Sequence, residues 1–174
     1  MSDYFSPVNE QQEKPSKRPV LLTVLCILSF IVVGFGLLGV LISLAGGQPS
    51  AAEIEKAYNL TMQMASDNRD QNITFLAEIL EQMAEMTSYQ QHHYWSVLLV
   101  NAITMGTGFA GVLMMFRGRK LGFHLYIIYN LLSVGGSFLI IPSHMIPMIS
   151  VIMNLILSGV FVFLYSLNLK WMNK

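Results

Sequence analysis

Four stretches of this chain, residues 20–45, 94–116, 121–141 and 147–169, contain no Asp, Glu, Lys or Arg. Each reaches or exceeds the roughly 18 to 20 predominantly apolar residues that a helix needs to cross a hydrocarbon layer about 30 Å thick. A water-soluble domain as apolar as this one, with 53% hydrophobic residues and 11% charged, would intersperse its charges among the apolar residues. Here the charges collect between the runs. Lipid offers no partner for a backbone N–H or C=O, so such segments must close their hydrogen bonds internally, as α-helices do. The expected fold is all-α: a polytopic membrane protein with four transmembrane helices.

The charged residues between the runs carry an orientation signal, because Lys and Arg near span ends are retained on the cytoplasmic side. Lys14, Lys17 and Arg18 precede the first run, Arg117, Arg119 and Lys120 join the second to the third, and Lys170 and Lys174 follow the fourth. All eight fall on one side of the threading. The opposite side receives residues 46–93, where Lys56 and Arg69 face Glu53, Glu55, Asp67, Asp70, Glu78, Glu81 and Glu85. Both termini are therefore expected in the cytoplasm, with an acidic loop outside. The first run also resembles a signal peptide, with Ser43 and Ala45 as small residues at a cleavage site. Its apolar core of about 25 residues is far longer than the roughly 7 to 15 of a signal sequence, so an uncleaved anchor is expected.

Residues 1–19 are rich in Pro, Gln, Ser and Glu and are expected to be a disordered cytoplasmic tail. After the first span, "GGQPSAAE" places helix breakers before a capping box from Ser50 to Glu53, so a helix restarts there. "SDNRDQN", residues 66–72, reads as a polar turn. From Ile73 onward, Leu76, Ile79, Leu80, Met83 and Met86 form one stripe and Glu78, Glu81, Gln82 and Glu85 another. The loop 46–93 is thus expected to be an extracytoplasmic helical hairpin between the first and second spans. Its second helix either continues as one rod into the second span, since no Gly or Pro intervenes before Gly106, or the two helices lie on the outer leaflet. The remaining links are short: a cytoplasmic turn at 117–120, an outer turn at 142–146 and a cytoplasmic tail at 170–174. Trp95 and Trp171 then fall at opposite interfaces, where amphipathic rings are favoured.

Few residues suggest chemistry. "GFGLLG", Gly34 to Gly39, matches a dinucleotide fingerprint but lies mid-span, with no strand before it, so it reads as a helix-packing face. Gly39 with Ser43, Gly106 with Ala110, and Thr107 with Gly111 have the spacing of small-residue contacts. Cys26 reads as a small buried hydrophobe. His92 and His93 are sequence neighbours whose side chains diverge by about 100° on a helix, which suits an interfacial helix end better than a shared metal ion. With His144 in the outer turn they form a candidate pH-sensitive or metal contact; His124 faces the other aqueous side. Asn59 with Thr61 and Asn72 with Thr74 form two N-x-T sequons in the outer loop. No ionisable Asp, Glu, Lys or Arg lies within a span, which argues against a proton-coupled carrier. The last three spans each carry an asparagine, Asn101, Asn130 and Asn154, at depths close enough for the three to meet as an intramembrane polar layer. They are expected to bridge helices or, alternatively, to line a solute site.

At "KRPVLLTVLCILSFIVVGFGLLG", residues 17–39, and "RGRKLGFHLYIIYNLL", residues 117–132, the chain resembles uncharacterised bacterial four-span proteins that open with a basic-Pro-"LTVLCILSFI" first helix. The resemblance implies the bacterial inner membrane and brings no activity or site residues. The cysteine motifs of tetraspanins and claudins are missing. The reading is a non-enzymatic integral membrane protein, structural or partner-binding through the acidic hairpin. A small-solute transporter or channel subunit using the asparagine layer is the alternative, and a metal-dependent enzyme on the outer histidines ranks last. Expected partners are the lipid bilayer and a protein partner or second copy, with no nucleic acid; no cofactor is expected.

Overall fold

The computed structural model describes residues 18–172. It is all-helical, with six α-helices in the order α1 (Val20–Gly46), α2 (Ala51–Asp70), α3 (Thr74–His92), α4 (Tyr94–Phe116), α5 (Lys120–Ile140) and α6 (Met148–Ser166). A 3-10 turn, Ser143–Met145, joins α5 to α6. Four helices, α1, α4, α5 and α6, are long and apolar enough to cross a membrane. The expected disordered tail at 1–19 lies outside the described residues except for Arg18 and Pro19.

The four apolar helices do not pack equally. α4 lies along α5 over most of its length and along α1 on another side, while α6 touches α5 more sparsely and α1 only locally. The tight α4–α5 contact follows from glycine. A Cβ on Gly122 would meet the Met115 backbone N at 2.4 Å and the Gly111 carbonyl oxygen at 2.6 Å, so the two backbones touch because neither residue has a side chain there. Gly108 admits the Tyr129 ring in the same way, and Gly36 of α1 seats Met105 of α4. The small-residue contacts expected at Gly39 and Gly106 are corrected: a Cβ at either would meet nothing within 4 Å. Of the glycines with that spacing, Gly111 does make a close contact, since a Cβ there would lie 3.0 Å from the Tyr126 backbone N.

The core gathers where α1, α4 and α5 meet near the basic Arg117–Lys120 turn. Leu22, Leu25 and Cys26 of α1, Val112 and Met115 of α4, and Tyr126 of α5 are buried there, with Tyr165 as the only buried residue within α6. After Ser166 the chain turns rather than continuing as helix to 169, and this turn brings Trp171 over Gly118, whose φ of 76° suits glycine. Arg18 completes this end. Its guanidinium donates to the Phe116 carbonyl and lies 3.9 Å from the centre of the Phe116 ring.

At the opposite end, α2 and α3 form an antiparallel hairpin. The capping box is present: Ser50 Oγ accepts from the Glu53 backbone N–H, and the Glu53 carboxylate accepts from the Ser50 N–H at 2.8 Å. The expected polar turn at 66–72 is shorter in the structure. α2 runs on to Asp70 because its polar residues remain solvated on a helix, and the reversal occupies only 71–73, with Asn72 at a φ of 62°. Arg69 pairs with Glu81 across the hairpin at 2.8 Å, a half-exposed ion pair that adds little stability. The continuous rod is likewise corrected: α3 and α4 are separated by one residue, His93, at φ −108° and ψ 30°.

Candidate functional site

Two regions bring polar or apolar groups together in ways the fold alone does not require. The first lies among the apolar helices. Polar residues recur on the facing sides of α5 and α6 at helical spacing, Tyr126, Asn130 and Ser133 on one and Ser150, Asn154 and Ser158 on the other, so each set stands above itself along its helix. Asn154 Nδ2 donates to Ser133 Oγ at 3.3 Å, and Ser158 Oγ donates to Asn154 Oδ1 at 3.1 Å. Asn130 Nδ2 donates to the Tyr126 carbonyl of its own helix at 2.7 Å. Toward the basic end the seam closes in a buried cluster, where the Tyr165 hydroxyl donates to Ser29 Oγ at 2.9 Å and the Tyr126 hydroxyl lies 3.4 Å from the same oxygen.

Of the three asparagines singled out in the sequence, Asn130 and Asn154 line one cleft, between α1, α5 and α6. Asn101 lines a different and smaller one, between α4 and α5, near Thr104 and Gly136. Ser133 borders both. The bridging from Asn154 therefore runs to a serine, not to another asparagine. Ser29, Tyr126, Ser133, Ser158 and Tyr165 were missed by sequence reasoning. The i, i+4 repeat of Ser150, Asn154 and Ser158 was the available signal; a lone Ser29 in an apolar helix gave none.

The histidines occupy helix-end positions. His92 Nδ1 donates to the Ser88 carbonyl at 2.8 Å and His93 Nδ1 to the Tyr89 carbonyl at 3.1 Å, so each ring serves a carbonyl of the last turn of α3. His93 also stacks on Tyr89 with ring centres 4.4 Å apart. His144 is exposed in the 3-10 turn, and His124 Nδ1 donates to the Lys120 carbonyl at 3.1 Å. No group of three or more His, Cys, Asp or Glu suited to a metal ion occurs among the described residues.

The second region is the hairpin. Ala65 of α2 and Ala77 and Ala84 of α3 are fully or almost fully buried in its internal contact, and Ile54 and Tyr58 of α2 and Leu80 of α3, on the same helix faces, are half-buried beside them. Four larger apolar residues face outward: Leu60 is 59% exposed, Met64 49%, Leu76 39% and Met83 43%. Their positions share a rule. Met64 immediately precedes Ala65, Leu76 precedes Ala77, Met83 precedes Ala84, and Leu60 precedes Thr61, which lines the groove between the helices. Each is thus turned about 100° the same way round from the contact line. In an antiparallel pair equal rotations lie on one face, so the four form a single apolar face, and Glu78 and Glu85, one residue after Ala77 and Ala84, lie on the other. At the base of the hairpin, the Tyr94 hydroxyl donates to the Ser43 carbonyl and Gln48 Nε2 to the Gln91 carbonyl at 3.2 Å, tying the end of α1 to the α3–α4 junction.

Compared with protein-family models, curated proteins and solved structures, the chain matches none.

Proposed function

We propose that this is a non-enzymatic integral protein of the bacterial inner membrane, with both termini cytoplasmic, that holds a protein partner on its extracytoplasmic helical hairpin. The observation that carries the reading is the apolar face that the hairpin leaves uncovered. Leu60, Met64, Leu76 and Met83 remain exposed on one face, beside the internal contact that buries Ala65, Ala77 and Ala84. The four follow one rotation from the contact line, and a contiguous exposed apolar face marks an interaction site.

The charge favours protein over lipid as the occupant. Helices that lie in a membrane interface carry Lys and Arg on their polar face, attracted to anionic headgroups. This hairpin carries seven acidic residues against Lys56 and Arg69, and two such hairpins repel one another. A partner with an apolar surface set in basic surroundings satisfies both features. The distribution of Arg18, Arg117, Arg119, Lys120 and Lys170 at the end away from the hairpin supports the orientation.

The test is copurification of the full chain from its native membrane under mild detergent. A stoichiometric protein partner should accompany the wild type and be lost from Leu60→Glu and Met83→Glu, while Glu78→Gln retains it. Retention in all three variants, or no stoichiometric partner, contradicts the proposal.

A further inference from the structure

The cleft between α1, α5 and α6 has a volume of about 460 Å3. Its lining divides by chemistry. Amides and hydroxyls come from Asn130 and Ser133 of α5 and from Asn154 and Ser158 of α6, while Val32 and Val33 of α1 with Leu157 and Phe161 of α6 supply hydrocarbon. Among the described residues, no Asp, Glu, Lys, Arg or His lines it. Its lip consists of side chains at least half exposed, Val32 at 59%, Met153 at 51% and Leu157 at 56%, all on helices long and apolar enough to cross the membrane. The opening therefore faces sideways, between α1 and α6, which touch only locally.

We propose that this cleft binds a single-chain, uncharged amphiphile that reaches it from the lipid, with a hydroxyl-bearing head on Asn154 and Ser133 and its chain against Val33, Leu157 and Phe161. Three observations fix the class. A carboxylate or phosphate would be desolvated there with no counter-charge, which is costly within a span. The volume lies in the lower half of the roughly 300 to 1,000 Å3 of small-molecule sites, suited to one chain. Finally, Asn154 is only half engaged. Its amide offers two donors and two acceptor positions, and one of each is used, toward Ser133 and Ser158. The remaining N–H and lone pair are costly to leave unmatched in hydrocarbon, and a hydroxyl, which both donates and accepts, matches the two. Asn154 lies six residues into α6 from the hairpin end, about 9 Å along the helix, within reach of a head anchored near that interface.

The experiment measures equilibrium binding of radiolabelled 1-oleoylglycerol to the purified full chain in nanodiscs, with oleate and glycerol as competitors. Saturable binding near one per chain is expected. It should weaken at least tenfold in Asn154→Leu, which removes the polar contact, and in Leu157→Trp, which fills the lip from an exposed position and leaves every polar group in place. Oleate at a pH where it is ionised and glycerol should compete poorly. Where Asn154→Leu does not elute as a monodisperse species, Leu157→Trp decides alone. Equal binding by wild type and Leu157→Trp overturns the site. Competition by oleate as strong as by 1-oleoylglycerol overturns the uncharged head, and competition by glycerol alone overturns the amphiphile in favour of a small neutral solute.

Discussion

The Tyr165 hydroxyl donates to Ser29 Oγ at 2.9 Å across 136 residues of sequence, and Tyr165 is the only buried residue within α6. One phenol thus links the last apolar helix directly to the first. Tyr165→Phe keeps the ring and its edge contact with Tyr126, whose centre is 4.9 Å away, and removes only the donor. The expected cost is about 0.6 to 1.7 kcal/mol, in the range of interhelical hydrogen bonds in membranes, seen as a modest fall in thermal stability in detergent. An unchanged midpoint would remove the hydroxyl from the account of how α6 is held.

The glycines separate contact from mere exposure. Gly122→Ala forces a methyl into the backbones of Met115 and Gly111 and should cost about 1 to 3 kcal/mol as α4 and α5 are pushed apart. Gly39→Ala meets nothing within 4 Å and should leave stability level or raise it by up to about 1 kcal/mol, through helix propensity. Thermal unfolding of both variants in one detergent is the comparison. Equal effects would show that the close α4–α5 approach is not what these glycines provide.

The hairpin's first turn should respond to acid. The Ser50 hydroxyl at 2.7 Å and then the Ser50 N–H at 2.8 Å donate to the Glu53 carboxylate and hold its pKa below the usual carboxylate range. Because the folded value is the lower one, the stabilisation is fully present above the unfolded value of about 4.3 and is lost as pH falls through the folded value. Intrinsic-rate-corrected hydrogen exchange at the amides of 51–54 should therefore lose protection in that window, and Glu53→Gln should flatten the dependence. Protection that is unaltered across it would sever the link between the carboxylate and the cap.

Sidedness is open to a direct chemical check. With Cys26→Ala as background, Asp67→Cys should react in intact cells with a membrane-impermeant maleimide, and Arg119→Cys should react only after permeabilisation. The reverse pattern would invert the proposed orientation.

Much of this architecture was legible in the sequence because a span announces itself by what it lacks. The absence of charge placed four apolar helices, with Tyr94–Phe116 matching to the residue. Ser50 and Glu53 announced the restart of the chain as α2, since a capping box is a local device. What stayed hidden depended on which way a helix faces. Gly39 and Gly106 have the right spacing and no neighbour, Gly111 of the same pattern meets α5, and Gly122, two residues past the basic turn, makes the closest backbone approach. Asn101, Asn130 and Asn154 have similar depths, but rotation about their helix axes puts Asn101 in a separate cleft. Ser29 and Tyr165 lie 136 residues apart, and nothing local to either forecasts the pair. The apolar stripe of α3 was visible from Ile73 onward, yet only the structure shows that it divides, with Leu80 half-buried between Ala77 and Ala84 and Leu76 and Met83 left exposed.

The proposed role of the hairpin is tested most directly by photocrosslinking in living cells. A benzophenone amino acid at Met83, on the apolar face, should capture one protein in high yield when irradiated. The same group at Glu85, on the opposite face, should capture it weakly or not at all. Equal capture from both positions, or crosslinks from Met83 only to lipid or to a second copy of this chain, would contradict a partner held on the exposed apolar face.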